Sequence, residues 1–525
     1  MAIDGNQQAS GDVARQVSIL SAAALSGAGT MIVEVAAPRL LQPYFGSSVF
    51  VWTNLIAVVM TALALGYYAG SRRAARDGYA RFAALMLTAA AILAAAAPFL
   101  VRHIAGFLLP DAEALAATID SAGILRISSL LAAVFLFALP IYLLATTSPV
   151  YVRMLADLGL RAEASAGRAL CAGTIGSLLG TLLPTYVLVP FIGSRGTFAL
   201  AAICLVLAAL LIDRSGKRRA LAAAGALVLL GAATSSLGSL RPELAGERLL
   251  AEVETPYQYL RVTEAKEADG KLLRSLRINE GVLEYHSVGI AGTAFSGGRY
   301  YDTLALAPAY LPAERRLRAA ILGGGAGTAA RLFVHAWPGR FESIDDVEID
   351  SGAAALADLI AENGPPPPVE RRVRAMDGRA FLALTRDEFD IVVVDAYSQQ
   401  TDIPFHMATV EFFREAADSL VDDGLIVLNV SAVDVDSRLM KGLLGALAHA
   451  FADAHILPVR GYPNAVVAAR KKGLLGDPSN LPKELEETAR AALRARTTGA
   501  LGDKALALTD DRAPTEFLTA IAGRD

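Results

Sequence analysis

Two features divide this chain before any residue is read closely: seven apolar stretches fill residues 17–239, and a glycine run, Ile321-Leu-Gly-Gly-Gly-Ala-Gly-Thr328, stands in a more polar second half. Crossing a bilayer takes about 20 mostly apolar residues, and stretches at 17–37, 48–70, 82–101, 124–147, 169–192, 196–212 and 219–239 approach that length. The expectation is a helical bundle of about seven transmembrane spans, multi-pass in an inner membrane, over 1–240.

Charge follows the same division. Residues 1–240 carry 16 Lys+Arg against 10 Asp+Glu, and residues 241–525 carry 32 against 42. The acidic second half argues against nucleic acid, which needs a basic surface, and suits a small cationic substrate. Cys171 and Cys204 both lie in apolar stretches, so no disulfide framework or metal cluster is expected. The first apolar stretch is long, follows a polar start and precedes further spans, which does not suit a cleaved signal peptide.

Arginine marks alternate connections: Arg72, Arg73, Arg76 and Arg81, then Arg153, Arg161 and Arg168, then Arg214, Lys217, Arg218 and Arg219. By the positive-inside rule these face the cytoplasm together with Arg15. Seven crossings then deliver the second half to the far side, against a cytosolic supply of nucleotide cofactor. Either the interrupted stretch Gly173 to Pro190 is not a crossing, or the domain is extracytoplasmic. Glu34, five residues before Arg39, is either a functional acid within the membrane or half of a helix-locking pair with an arginine. Gly66, Gly70, Gly173, Gly176 and Gly180 have the small-residue spacing of close helix packing.

Beyond Pro242, short alternating stretches at 249–253, 259–264 and 273–279 predict a small antiparallel sheet within 241–298. From Arg318 strands and helices alternate: a strand to Leu322, a helix from Thr328, strands at 341–349, near Val373, at 389–395 and at 425–430, with helices from Arg379 and Val410. This predicts, over 299–525, a Rossmann-like, methyltransferase-type α/β domain with a mostly parallel sheet. Gly323, Gly325 and Gly327 let backbone approach a nucleoside. Glu348, 23 residues past Gly325, ends the next strand, where its carboxylate can accept both ribose hydroxyls. Asp377-Gly378 stands where an adenine edge is read, and Asp395 at the carboxyl edge of the fourth strand, where ligands of open α/β sheets bind.

Taken in order, Pro256-Tyr-Gln258, the 323–328 loop, Glu348-Ile-Asp350, Asp377-Gly378, Asp395, Glu411-Phe-Phe413 and Asp423-Gly424 resemble the spermidine/spermine synthase family over about 248–440. The first half, with Glu34, Arg39, Phe45-Gly-Ser47 and Leu65-Gly66, resembles the multispan module fused to such domains in bacteria, as does the tail Leu508-Thr-Asp-Asp-Arg-Ala-Pro514. The resemblance implies aminopropyl transfer from decarboxylated S-adenosylmethionine to an amine or polyamine, with methylthioadenosine leaving, no metal, and a possible homodimer. It implies that Gln258, Glu348 and Asp377 hold the nucleoside, Tyr301 lines the amine channel, and Asp395 orients and deprotonates the nucleophile.

Two departures qualify this. Ala326 and Ser398 replace carboxylates that the family uses to grip the transferred arm and the acceptor. Intact S-adenosylmethionine thereby becomes a second candidate donor, and restoring both carboxylates is expected to favour the decarboxylated one. Methyl transfer, a lyase reaction on intact S-adenosylmethionine, and a transporter with a nucleoside-sensing domain are the alternatives. Tyr397, Gln399 and His406 are candidate pocket residues, with loop closure and lid packing as their plainer roles. His286 stands near the amine channel or on a surface loop. Asp510-Asp511 either supply negative charge or cap a helix before Pro514.

Overall fold

The computed structural model describes residues 2–110, 121–213, 225, 231, 239–243, 246–267, 269–279, 286–361, 370–386, 388–397, 402–431 and 435–521. The chain forms two compact units. One is helical and lies within residues 1–242 together with Glu254–Tyr259; the other comprises Glu243–Val253 and Leu260–Asp525.

The helical unit contains α1 (Ala2–Phe45), α2 (Val49–Ala74), α3 (Tyr79–Leu108), α4 (Gly123–Ala156) and α5 (Ala162–Ile212). Each carries a stretch long and apolar enough to cross a membrane. The described residues thus hold five such helices where about seven spans are expected. The expected spans 169–192 and 196–212 are two arms of α5, which breaks at Gly193, where φ is 68° and ψ 173°. The expected span 219–239 lies almost wholly outside the described residues.

Glycines set the helix contacts. A Cβ on Gly176 would stand 1.8 Å from the Ala24 carbonyl oxygen, and one on Gly180 2.3 Å from that of Ala28, so only glycine lets α5 lie this close to α1. Gly66 and Gly70 meet the Tyr142 and Thr146 carbonyls of α4 in the same way. Glu34 forms no pair with Arg39, whose guanidinium instead donates to the carbonyls of Thr255 and Pro256. Five helical residues separate Glu34 from Arg39, which puts them on different faces; facing pairs are three or four apart.

In the second unit β1 (Glu247–Glu254), β2 (Tyr259–Lys266), β3 (Leu272–Ile278) and β4 (Ser287–Ile290) form a sheet in that order, antiparallel across β2–β3–β4. The larger sheet has β5 (Leu317–Leu322), β6 (Phe341–Val347), β7 (Glu370–Arg374), β8 (Phe389–Val394), β9 (Leu420–Ser431), β10 (Asp453–Pro458), β11 (Asn464–Arg470) and β12 (Thr497–Thr498), ordered β12-β10-β11-β9-β8-β5-β6-β7. From β9 to β7 all pairs are parallel, and from β9 to β12 all are antiparallel. The β8 run Phe389-Asp-Ile-Val-Val-Val394 is buried at every position, as a strand covered on both faces requires. One apolar cluster, centred on Ile321, Phe333 and Val393, lies on one side of the sheet, and a second, around Val392, Phe412 and Leu443, on the other.

Candidate active site

Four parallel strands end side by side, and the residue after each of β8, β5 and β6 extends the ladder by one bond. Asp395 N–H donates to the Leu322 carbonyl at 2.8 Å, Gly323 N–H to Val347 at 2.8 Å, and Glu348 N–H to Arg374 at 2.9 Å. Asp395, Gly323 and Glu348 therefore stand in a row along the carboxyl edge, with Asp377 three residues beyond β7.

The glycine loop joins β5 to α6 (Thr328–Ala336). Gly323, Gly325 and Gly327 all have positive φ, at 90°, 53° and 78°, a region that side chains with a Cβ rarely adopt. Space is the second constraint: a Cβ on Gly323 would come within 2.5 Å of the Asp395 carbonyl oxygen. Glu348 braces this loop. Its Oε2 accepts the Gly325 N–H at 2.8 Å and its Oε1 the Asp350 N–H at 2.9 Å. Burial pushes the Glu348 carboxyl above its ordinary range, opposed by those two bonds. Each carboxylate oxygen retains a further acceptor position, the arrangement that two ribose hydroxyls need.

Asp377 caps α7 (Gly378–Leu384), Oδ1 accepting the Ala380 N–H at 2.9 Å, while Oδ2 accepts from His406 Nε2 at 3.0 Å. Burial acts to raise the Asp377 carboxyl, yet the Ala380 and His406 bonds outweigh it and hold it below the usual range. His406 is thus brought to Asp377 and not to Asp395. Gly378 packs against Leu322 and Met407.

Both oxygens of Asp395 are held by side chains. Tyr300 Oη donates to Oδ2 at 3.1 Å, and Asn429 Nδ2 to Oδ1 at 2.8 Å; Asn464 Nδ2 in turn holds Asn429 Oδ1 at 3.0 Å. Burial, and then the Asp395 charge, raise the Tyr300 phenol well above its ordinary range, so it keeps its proton and remains the donor. Tyr300, not its neighbour Tyr301, makes this bond; Tyr301 is 2% exposed and belongs to the apolar cluster beside the sheet. Asn429 was missed by sequence reasoning. A polar residue inside the apolar run Leu425-Ile-Val-Leu-Asn-Val430 was the available signal, because a buried amide must find partners.

Tyr397 spends its hydroxyl on β9, donating to the Asn429 carbonyl at 2.8 Å and accepting the Ser431 N–H at 2.9 Å, the loop-closing role. Gln399 and Ser398 lie outside the described residues. Gln258 falls in the Glu254–Tyr259 segment of the helical unit. The His286 carbonyl lies beside Gly325, and burial lowers the His286 ring to about 4, so it is neutral at pH 7. Asp510 neither adds free negative charge nor caps a helix. It pairs bidentately with Arg379, both bonds at 2.8 Å, and Arg379 also grips Glu415.

Ala326 is wholly buried among Leu260, Val262, Leu276 and Ile278, with its N–H on Ser287 Oγ at 2.9 Å. A carboxylate there would enter an apolar cluster, reversing the expectation that restoring it helps. Ala326→Asp is expected to destabilise the fold by roughly 2–7 kcal/mol, the cost of burying a polar group without a partner. Thermal unfolding of the variant beside the parent measures this, and an unchanged midpoint would show that the side chain escapes to solvent.

Residues 300–472 match the family described as spermine/spermidine synthase domain. A probable polyamine aminopropyl transferase of Bifidobacterium longum is 31% identical over 309 residues, covering 54% of this chain and 66% of the relative. A polyamine aminopropyltransferase of Oceanobacillus iheyensis is 23% identical over 322 residues, covering 57% of this chain and 59% of the relative. The chain thus spans about six tenths to two thirds of the length of these relatives. A probable spermidine synthase of Corynebacterium glutamicum, known from its crystal structure, aligns at 21% identity and TM-score 0.36 over 46% of this chain and 94% of its own. The ordered motifs from the glycine loop to Asp423-Gly424 and the domain match over 300–472 agree: the second half of this chain carries a spermine/spermidine synthase domain.

Proposed function

We propose that the protein is a membrane-anchored, aminopropyltransferase-like enzyme that uses decarboxylated or intact S-adenosylmethionine and releases methylthioadenosine. The observation that carries this is Asp395, a carboxylate at the sheet edge beside the glycine loop, with both oxygens oriented by Tyr300 and Asn429. A carboxylate so fixed suits an ammonium, holding the cation and taking its proton.

In this reading Glu348 accepts the ribose hydroxyls, Asp377 with Gly378 reads the adenine edge, and the 323–327 loop admits the nucleoside close to its backbone. Tyr397 and Gln399, which follow Asp395 closely, shape the surroundings of the amine. The amine nitrogen, its proton released to Asp395, attacks the carbon next to the sulfonium. The carbon–sulfur bond breaks, its electron pair returns to sulfur, and a neutral thioether nucleoside leaves. No metal is required, because the sulfonium is itself the activated leaving group. The five long apolar helices support the anchoring in a bilayer.

One observation favours a second reading. The glycine loop carries alanine and no carboxylate at 326, so no charge there repels the carboxylate of intact S-adenosylmethionine, which suits methyl transfer or a lyase. Incubating the purified protein with either donor and identifying the nucleoside product decides between them. Methylthioadenosine formed with an amine supports the transferase, methylthioadenosine from the intact donor without amine supports the lyase, and S-adenosylhomocysteine supports methyl transfer. Failure to turn over either donor would overturn the enzymatic reading.

A further inference from the structure

The packing of the helical unit fixes the direction of each helix. Ala24 meets Gly176 and Ala28 meets Gly180, so the first arm of α5 runs parallel to α1. Gly66 meets Tyr142 and Gly70 meets Thr146, so α2 and α4 are parallel to each other. Short turns at 46–48 and 75–78 reverse the chain between α1, α2 and α3. The second arm of α5 comes back, because Gly29 touches Ala201 and Leu205 while the neighbouring Ala28 touches Gly180. A helix running straight through Gly193 would carry residue 201 about 30 Å beyond residue 180 at 1.5 Å per residue. The stretch Gly173 to Pro190 is therefore a full pass along the bundle.

Two ends follow. At one stand the starts of α1, α3 and α5 and the ends of α2 and α4. There the charges of Arg15 and Arg153 both bear on Tyr79, the Tyr79 hydroxyl donates to Asp157, and Arg153 pairs with Asp157 at 3.0 Å. This end holds Arg15, Arg72, Arg73, Arg76, Arg81, Arg153, Arg161 and Arg168. At the other end are Arg39, Arg102, Arg126, Arg195 and Arg241. Here Tyr44 holds the Leu240 carbonyl at 2.7 Å, Arg195 holds that of Ser239 at 2.9 Å, Glu254 accepts the Ser194 N–H at 2.8 Å, and Arg39 holds Thr255 and Pro256. Both segments through which the chain leaves the helical unit, 239–242 and 254–259, are thus fastened to the arginine-poor end.

Lys/Arg excess in short connections marks the cytoplasmic side, with acidic residues counting little. From this we infer that the synthase domain emerges on the extracytoplasmic face of the membrane. The inference rests on the membrane-anchored reading above. It also places the enzyme in sequence: a step that carries a sulfonium nucleoside out of the cytosol must precede it, and the amine acceptor is drawn from the outer pool.

The test is accessibility in the full-length chain. With Cys171 and Cys204 replaced by serine, single cysteines are introduced by Arg76→Cys, in the α2–α3 turn, and by Leu474→Cys, where the native side chain is 81% exposed in the second unit; Lys472→Cys serves as a second reporter. Right-side-out spheroplasts are treated with a bulky membrane-impermeant maleimide. The expected result is labelling of Leu474→Cys and Lys472→Cys in intact spheroplasts, and loss of Arg76→Cys labelling unless the membrane is opened. The reverse pattern, or equal labelling of all three in intact spheroplasts, overturns the inference while leaving the anchored enzyme standing. Release of the protein by alkaline carbonate without detergent would instead defeat membrane anchoring itself, and the sidedness with it.

Discussion

Asp395→Asn is expected to lower amine-dependent turnover by about 10²–10⁴, the usual scale of general acid–base help, while leaving nucleoside affinity nearly intact. The substitution suits the site sterically. The amide oxygen can keep the Asn429 bond, and the amide nitrogen can donate to Tyr300, whose hydroxyl also accepts. What goes is the charge that gathers an ammonium and takes its proton. Turnover of the purified variant with a panel of amines measures this. Near-normal rates would remove Asp395 from catalysis, and a normal rate without any amine would mark a lyase that uses its own substrate's carboxylate as nucleophile.

The second large effect is expected at Glu348. Two charge-assisted bonds to ribose, each worth roughly 1.5–3 kcal/mol, would go in Glu348→Ala, weakening methylthioadenosine binding by about 10²–10⁴ at 1.4 kcal/mol per decade. The loss has a structural component as well, because Gly325 and Asp350 would each lose the acceptor of a backbone N–H. Calorimetry of the parent across pH supplies a companion measurement. Since burial raises the Glu348 carboxyl from 4.5, it takes up a proton at a higher pH than an ordinary glutamate. Nucleoside affinity should therefore fall as pH is lowered through that range. Affinity that is unchanged in the alanine variant would exclude Glu348 from the site.

Much of the sheet edge was legible because each motif falls where a buried apolar run stops. Ile321-Leu322 precedes the glycines, Val347 precedes Glu348, and Val394 precedes Asp395, so strand ends and candidate groups announce one another. What stayed hidden needs three dimensions. Tyr300 and Tyr301 are neighbours in a short helix, and the phase that points one at Asp395 and the other into the core depends on how that helix docks. Arg39 reaches carbonyls 216 and 217 positions downstream, beyond any local pattern. The doubling back of α5 at Gly193, by contrast, was marked, because Gly193-Ser-Arg195 separates the expected spans 169–192 and 196–212. Ala326 read as a missing carboxylate in a pocket; that its side chain sits among strand residues of the small sheet could come only from the packing.

The clasp of Arg379 by Asp510 joins residues 131 positions apart. Chains are made from the amino end, and domains generally fold as they emerge. The helices, the small sheet and the parallel strands can all form while synthesis continues, but the Arg379 pair cannot close until the Leu508–Pro514 tail exists. Arg379 Nη1 also donates to the carbonyl of His406 at 3.0 Å, and His406 holds Asp377. The Asp377 corner of the site therefore waits on the Leu508–Pro514 segment, so a nascent chain that already has its parallel strands does not yet have that corner clasped.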